Sequence, residues 1–360
     1  MTEREALIAL CAFVPFGPAR IKLFLEYFGS ARETWKAETR RFKEIGVSDK
    51  LVSEFSEWRR HFDFSSYFAK LVKFGVSVAT VTDKNYPERL RQTDDAPIVL
   101  YIKGELKNVD VSVAIVGSRK ITSYGREVAE KISSELAAAG VTIISGLALG
   151  VDGVAHRAAL EVGGRTIAIL GNGLDQIYPP SHRELAQKVT KHGALVSEYP
   201  LGHSALPMNF PYRNRIISGM SLGVVVIEGT EKSGTLLTAS HAARQGREVF
   251  AVPGPITSPN AAAPNLLIKQ GAKVVTGVED ILEELDLGHR AKGIMNREIL
   301  PETEEEKLIF QLIENEPLHI DEIVRRVRFD AGIVLSTLTT MELKGMVKDI
   351  GGNIYQVIAI

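Results

Sequence analysis

From Val111 to Val275 the chain repeats one unit: a short apolar strand, a glycine-rich turn with a few polar residues, then a helix. The turns read Gly117-Ser118-Arg119, Ser145 to Gly150, Gly171 to Asp175, Ser197 to Pro200, Glu228 to Thr235 and Pro253-Gly254. Strands such as Val113–Val116, Val141–Ile144, Thr166–Leu170 and Val224–Ile227 are apolar throughout, as strands covered on both faces of a parallel sheet must be. Right-handed crossovers set every turn at the carboxyl edge of that sheet, where open α/β folds bind ligands. The polar residues of the six turns are therefore expected to form one site.

Composition narrows the surroundings. The length fits two or three domains, and acidic and basic residues nearly cancel to a formal net charge of −1, so any site for a polyanion must be a local patch. A single cysteine, Cys11, excludes an internal disulfide and fits a reducing cytosol. The first residues, Glu3, Arg4 and Glu5, and the break at Pro15 and Gly17 match neither a signal peptide nor a spanning helix. The expectation is a soluble, cytoplasmic protein with no membrane insertion.

Residues 1–65 read as short helices separated by Gly17, Gly29-Ser30 and Gly46, a SAM or helix-hairpin-helix-like module. Its Pro15–Ile21 turn could hold a phosphate, with a plain packing role at least as well supported. Residues 66–287 form the sheet domain, 288–302 a linker, and 303–360 three helices followed by a hairpin across Gly351-Gly352, the outline of a winged helix. Its third helix, from Ala331, carries one base, Lys344, and one acid, Glu342. A reader of the DNA groove wants several bases or amides there, so protein contact or packing is favoured.

Three turns are candidates for anion binding. Gly117-Ser118-Arg119, with Lys120 next to it, follows a buried strand; glycine admits a close ligand and Arg119 offers a planar fork for phosphate. Neither a full dinucleotide fingerprint nor a Gly-Lys-Ser/Thr phosphate loop is present. Lys232-Ser233-Gly234-Thr235 precedes a second helix, which Ser233 would cap. Phe210, Arg213, Asn214 and Arg215 combine forks with a stacking platform, as single-stranded nucleic acid requires. Phe210 and Arg213 share a helical face and Arg215 does not, so one arginine is expected to pair with Glu198 or Glu228. Ser145 and Gly146 complete the candidate set. Asp152 is read as a helix cap and His156 as structural, since neither has a nucleophile or a second ligand at useful spacing. Glu198, at a strand end, either acts chemically or anchors an arginine. No metal, cofactor or catalytic group is expected.

Taken in order, these turns resemble the DprA/Smf family of bacterial DNA-processing proteins. The resemblance runs through Val113–Arg119, Tyr124-Gly125, Ser145–Ala148, Gly150–Gly153, Ala155-His156, Gly173–Asp175, Tyr178-Pro179, Ser197–Pro200, Phe210-Pro211 and Arg213–Gly219. It ends at Ser233–Leu236, Arg247–Gly254 and Gly271-Ala272, and Leu149 stands where an arginine is frequent. It implies an extended Rossmann-like, mostly parallel sheet that binds single-stranded DNA as a homodimer, protects incoming DNA during natural transformation and helps load the RecA recombinase. Gly117, Ser118 and Arg119 would be the main strand pocket, with Phe210, Arg213, Arg215, Lys232 and Ser233 beside it and the dimer surface around Leu236–Val252.

The rival reading is an enzyme. Phosphoribohydrolases of the lysine-decarboxylase-like group share such a sheet and carry a glutamate late in a Pro-Gly-Gly-x-Gly-Thr-x-x-Glu motif. Thr238 stands at that position here, which argues against hydrolysis, although Glu198 or Asp152 could substitute.

Overall fold

The computed structural model describes residues 1–107, 109, 111–288, 301, 303–314, 316–343 and 346–357. It consists of two compact units, Met1–Gly288 and His289–Ile360.

The first unit opens with helices α1 (Glu3–Ala12), α2 (Gly17–Phe28), α3 (Ala31–Lys36), α4 (Thr39–Glu44), α5 (Asp49–His61) and α6 (Phe64–Lys73). Their starts follow from capping side chains. Thr2 and Glu5 form a capping box on α1, and Ser30, Ser48 and Asp63 accept the first amides of α3, α5 and α6. Gly29 ends α2 in the left-handed conformation.

A sheet follows. Among the described residues nine strands, numbered along the chain, lie in the order β1 (Val76–Thr80), β2 (Val99–Gly104), β6 (Ala194–Ser197), β5 (Thr166–Leu170), β4 (Thr142–Ser145), β3 (Ser112–Val116), β7 (Gly223–Val226), β8 (Glu248–Ala251) and β9 (Lys273–Val274). Strands β3 to β9 are parallel; β2 runs antiparallel to both β1 and β6. The chain steps outward from β3 to β6, then returns to lay β7 against β3, with Val116 opposite Val226. The topological switch point therefore lies between β3 and β7.

Side chains alternate along each strand. Ile167 and Ile169 of β5 and Ala114 and Val116 of β3 face α11 (Asn209–Gly219) and α12 (Gly234–Arg244), through Ile216, Ile217 and Ala239. Ala168 and Leu170 face the other way. There they join Leu185 and Val189 of α10 (Arg183–His192) in one core with the N-terminal helices. That core continues into an aromatic cluster of Phe13, Phe16, Phe24, Phe42 and Phe55. The helical segment expected over residues 1–65 thus extends through α6 and packs as a layer of the sheet domain. The hydroxyls of Tyr67 and Tyr101, 2.7 Å apart, tie α6 to β2. The remaining crossover helices are α8 (Ser123–Ala138), α9 (Val151–Glu161) and α13 (Ala262–Lys269); α7 (Glu88–Arg91) lies between β1 and β2, and α14 (Val278–Glu284) closes the unit.

The second unit contains α15 (Glu304–Ile313), β10 (Leu318–His319), α16 (Ile320–Val327), α17 (Ala331–Leu343), β11 (Val347–Asp349) and β12 (Ile354–Val357). The expected Thr303–Glu306 capping box is present. The expected hairpin gains a third strand, because β10 pairs with β12. Ile309, Ile323, Val334, Leu338 and Tyr355 form its core. Outward from α17 point Ile333, Leu335, Ser336 and Thr339, none of them basic. Lys344 and nearly all of the expected linker 288–302 lie outside the described residues. No single helix among the described residues is long and apolar enough to cross a membrane.

Candidate functional site

The turns after β3, β4 and β7 meet at the switch point, and α11 lies across them. Together they enclose a crevice of about 190 Å³ lined by Gly117, Arg119, Ala148, Asp152, Phe210, Arg213, Asn214, Ser233, Gly234, Thr235 and Thr238. A smaller recess beside it shares Arg119, Phe210 and Arg213 and adds Gly146, Tyr178 and Pro179.

Two arginines line the crevice together with one aromatic ring. Arg119 is exposed, with its guanidinium carbon 5.5 Å from the centre of the Phe210 ring. Tyr178 lies 5.4 Å from the same ring at a 37° tilt. Arg213, three residues after Phe210 on α11, is 4% exposed. One end of its guanidinium donates to the Ile169 carbonyl, while Nε finds no partner. Burial, aided by nearby Arg119 and opposed by Asp152, pushes Arg213 down to about 10. Room for that side chain comes from Gly146, where a Cβ would stand 1.9 Å from Nη1. Gly150 fills a similar need: its φ is +77° and a Cβ would meet the Ser118 carbonyl at 2.1 Å.

Asp152 does not cap its own helix as the sequence reading has it. Helix α9 starts at Val151 with Gly150 at its N-cap, and the Asp152 carboxylate reaches back to accept from the amides of Gly146 (3.1 Å) and Ala148 (3.3 Å). Burial raises its pKa; Arg213 and those amides oppose the rise. Asp152 thus holds the β4 turn in the shape that admits Arg213.

The turn after β3 is only half open. Thr122 caps α8, and Glu228 accepts from both the Thr122 hydroxyl (2.5 Å) and its amide (3.1 Å). A buried carboxylate of the protein's own therefore stands at the helix terminus where a dinucleotide fold places a pyrophosphate. The other helix start remains available. Ser233 caps α12 by accepting from Thr235 N at 3.3 Å and lines the crevice.

Several candidates lie elsewhere. Ser118 Oγ turns onto Lys120, accepting from its amide and donating to its carbonyl, while the Lys120 and Lys232 side chains are exposed outside the lining. Ser145 is buried and donates to the Ile115 carbonyl at 2.6 Å, because the residue still belongs to the sheet. Arg215 takes the opposite face of α11, 1% exposed, with Nη2 donating to Glu198 Oε1 at 2.7 Å and its guanidinium 4.1 Å from the Tyr212 ring centre. It is the structural arginine of the pair, and Glu198 is its partner. Burial raises the Glu198 carboxyl against the pull of Arg215.

The six turns do not make one site, because α11 divides the edge. The turn after β6 falls on its far side, and the turn after β8 is engaged elsewhere, with the Pro253 carbonyl accepting from Tyr124. Tyr178 and Ala148 line the site though neither is among the binding candidates, and the sequence reading weighs Asp152 only as a helix cap or a substitute acid. Only Tyr178, an aromatic beside prolines in a turn, carried a usable signal.

His156 is buried, 2.6 Å from Thr166 Oγ1, and burial pushes its pKa down to about 3, so it stays neutral. Thr238 donates to the Gly234 carbonyl at 3.3 Å within α12. Among the described residues no cluster of His, Cys, Asp and Glu could hold a metal ion. The crevice can take an anion on Arg119 and the α12 terminus and a flat ring against Phe210 and Tyr178.

Comparison with known proteins finds relatives over both units. The family described as DNA recombination-mediator protein A matches residues 77–286, and the DprA winged helix domain matches residues 296–353. Protein Smf of Escherichia coli is 44% identical over 276 residues, covering 74% of each chain. DNA processing protein DprA of Bacillus subtilis is 44% identical over 213 residues, 59% of this chain and 72% of that one. The X-ray structure of DprA from Streptococcus pneumoniae superposes with a TM-score of 0.63 at 36% identity, covering 72% of this chain and 90% of that one. A structure described by the single-stranded DNA binding mode of DNA processing protein A from Helicobacter pylori gives a TM-score of 0.53 at 29% identity, over 58% and 95%. With the switch-point crevice, the winged helix and these matches together, the chain belongs to the DprA/Smf family of DNA-processing proteins.

Proposed function

We propose that this chain binds single-stranded DNA in the switch-point crevice, without catalysing a reaction, and that it acts as a homodimer that protects incoming strands and passes them to RecA. The reading rests most on exposed Arg119 over the Phe210 ring, with buried Arg213 lining the same crevice. Phosphates would bridge Arg119 and the α12 terminus, with Asn214 alongside, while bases splay onto Phe210 and Tyr178. Lys120 and Lys232 would flank the strand as exposed cations. The Helicobacter relative, described by its single-stranded DNA binding, supports the ligand class. Half-exposed Leu237 on α12 is a candidate element of the dimer surface.

The test is binding of labelled oligothymidine, single-stranded against duplex, to wild type and Arg119→Ala over a salt series. The expected result is a strong single-strand preference that falls with salt and is lost in the variant. Absence of binding at low salt would overturn the reading and direct attention to nucleoside monophosphates.

A further inference from the structure

Tyr178 belongs to two chambers. It lines the recess beside the crevice, where its ring meets that of Phe210 at 5.4 Å. It also lines a separate groove of about 550 Å³. Arg183, Gln187 and Thr190 line that groove from α10, and their spacing of four and three residues is one face of the helix. Lys103 of β2 and Phe74, just after α6, line it as well. Lys103 pairs with Leu195 near the start of β6, so the groove descends from the carboxyl edge of the sheet toward its amino edge. Between Arg183 and Thr190 the helix advances about 10 Å.

The charges of this groove favour an anion. Neither Arg183 nor Lys103 engages a carboxylate among the described ion pairs. Arg183 lies in the first turn of α10, where the helix dipole opposes a positive charge, so the helix itself gains nothing from it. Asp175 is the one acid of the lining, and its Oδ1 already accepts from the Gly202 amide at 2.8 Å. Two unpaired cations beside an aromatic ring suit a ligand that carries both phosphates and flat rings. A strand seated in the crevice is such a ligand, and Tyr178 is common to both of its neighbouring hollows.

We propose that this groove carries the continuation of the bound strand: single-stranded DNA leaves the crevice over Tyr178 and runs along α10, with phosphates on Arg183 and Lys103. The proposal rests on the single-stranded DNA reading above. A path of about 10 Å holds roughly two or three nucleotides at about 3.4 Å per phosphate. Phe74 offers a base a ring to stack on in the lower part. The groove thus lengthens the footprint of the strand without taking part in its first capture.

Full-length protein is titrated over a salt series with oligothymidine of about 4 and about 12 nucleotides, the range of single-strand footprints. Wild type is compared with the double variant Lys103→Gln, Arg183→Gln and with Lys188→Gln. Lys188 is exposed on α10 but lines a different hollow, so its loss reports only the general field of the helix. The double variant should lower the logarithmic salt slope on the long strand by about 1.4, at about 0.7 for each phosphate released. Its affinity for the short strand should equal that of wild type, which also shows that it is folded. Lys188→Gln should leave both slopes unchanged. A double variant that matches wild type on the long strand overturns the proposal and leaves a peptide as the occupant of the groove. An equal fall on both lengths, or the same fall in Lys188→Gln, overturns it too. If neither strand binds wild type, the crevice reading itself falls and takes this one with it.

Discussion

Gly146 and Arg213 occupy the same space in turn: the guanidinium lies where a side chain at residue 146 would begin, with only 1.9 Å between Nη1 and the position of a Cβ. The buried cation of the crevice therefore depends on a backbone position in a different loop. Gly146→Ala should force Arg213 out of its seat, at a cost of about 1–3 kcal/mol in stability from overpacking. Urea unfolding measures the first effect. Loss of oligothymidine affinity in the same variant measures the second, and a folded variant with wild-type affinity would remove Arg213 from the site.

Arg119 makes the opposite case. It is exposed and engages no carboxylate among the described ion pairs, so Arg119→Ala should change stability by less than about 0.5 kcal/mol. Its loss should appear in the salt dependence of strand binding, whose logarithmic slope falls by about 0.7 for each phosphate contact removed from a single strand. An unchanged slope would place the phosphates elsewhere.

Arg215 should behave unlike either. Arg215→Met leaves Glu198 buried without its cation and is expected to destabilise the fold by about 3–5 kcal/mol. Thermal unfolding checks this, and a variant as stable as wild type would show that the pair has no structural role.

His156 sets a pH dependence. Its folded pKa of about 3 lies below the ordinary value of 6.5, so between those values the unfolded chain binds the extra proton. The neutral histidine therefore contributes its full stability above pH 6.5, and that contribution is lost as pH falls toward 3, by about 1.4 kcal/mol per pH unit. Asp152 and Glu198, whose carboxyls are raised by burial, act in the other direction, so the histidine shows as a difference between proteins. Denaturant unfolding of wild type and His156→Gln across this range should give a shallower acid loss in the variant.

Removing the second unit tests the division of labour. Residues 1–288 should unfold in a single transition, because the N-terminal helices and the sheet share one core. Their affinity for oligothymidine should equal that of the full chain. Separate transitions for the helices and the sheet would contradict the shared core.

The sheet was legible in the sequence because strands covered on both faces leave uninterrupted apolar runs, and Val113–Val116 or Thr166–Leu170 has no other use for so many. The split between Arg213 and Arg215 was legible too, since residues two apart on a helix cannot face the same way. Burial depth was not. Ser145 sits one residue before the crevice yet still points into the sheet, and a one-residue shift at a strand end leaves no trace in composition. The role of Asp152 also escaped, since a carboxylate in the first turn of a helix looks the same whether it serves that helix or the loop before it. Helix α6 was passed over because its start at Phe64 lies on the boundary drawn between two modules.

Glu228 carries a last consequence. By capturing Thr122 it places a fixed negative charge at the terminus of α8, and Gly125 leaves room for that carboxylate alone. A free nucleotide arriving with its diphosphate meets repulsion where related sheets offer it amides. If a strand occupies the crevice as proposed, the soluble nucleotides of a cell would find this neighbouring helix terminus already taken.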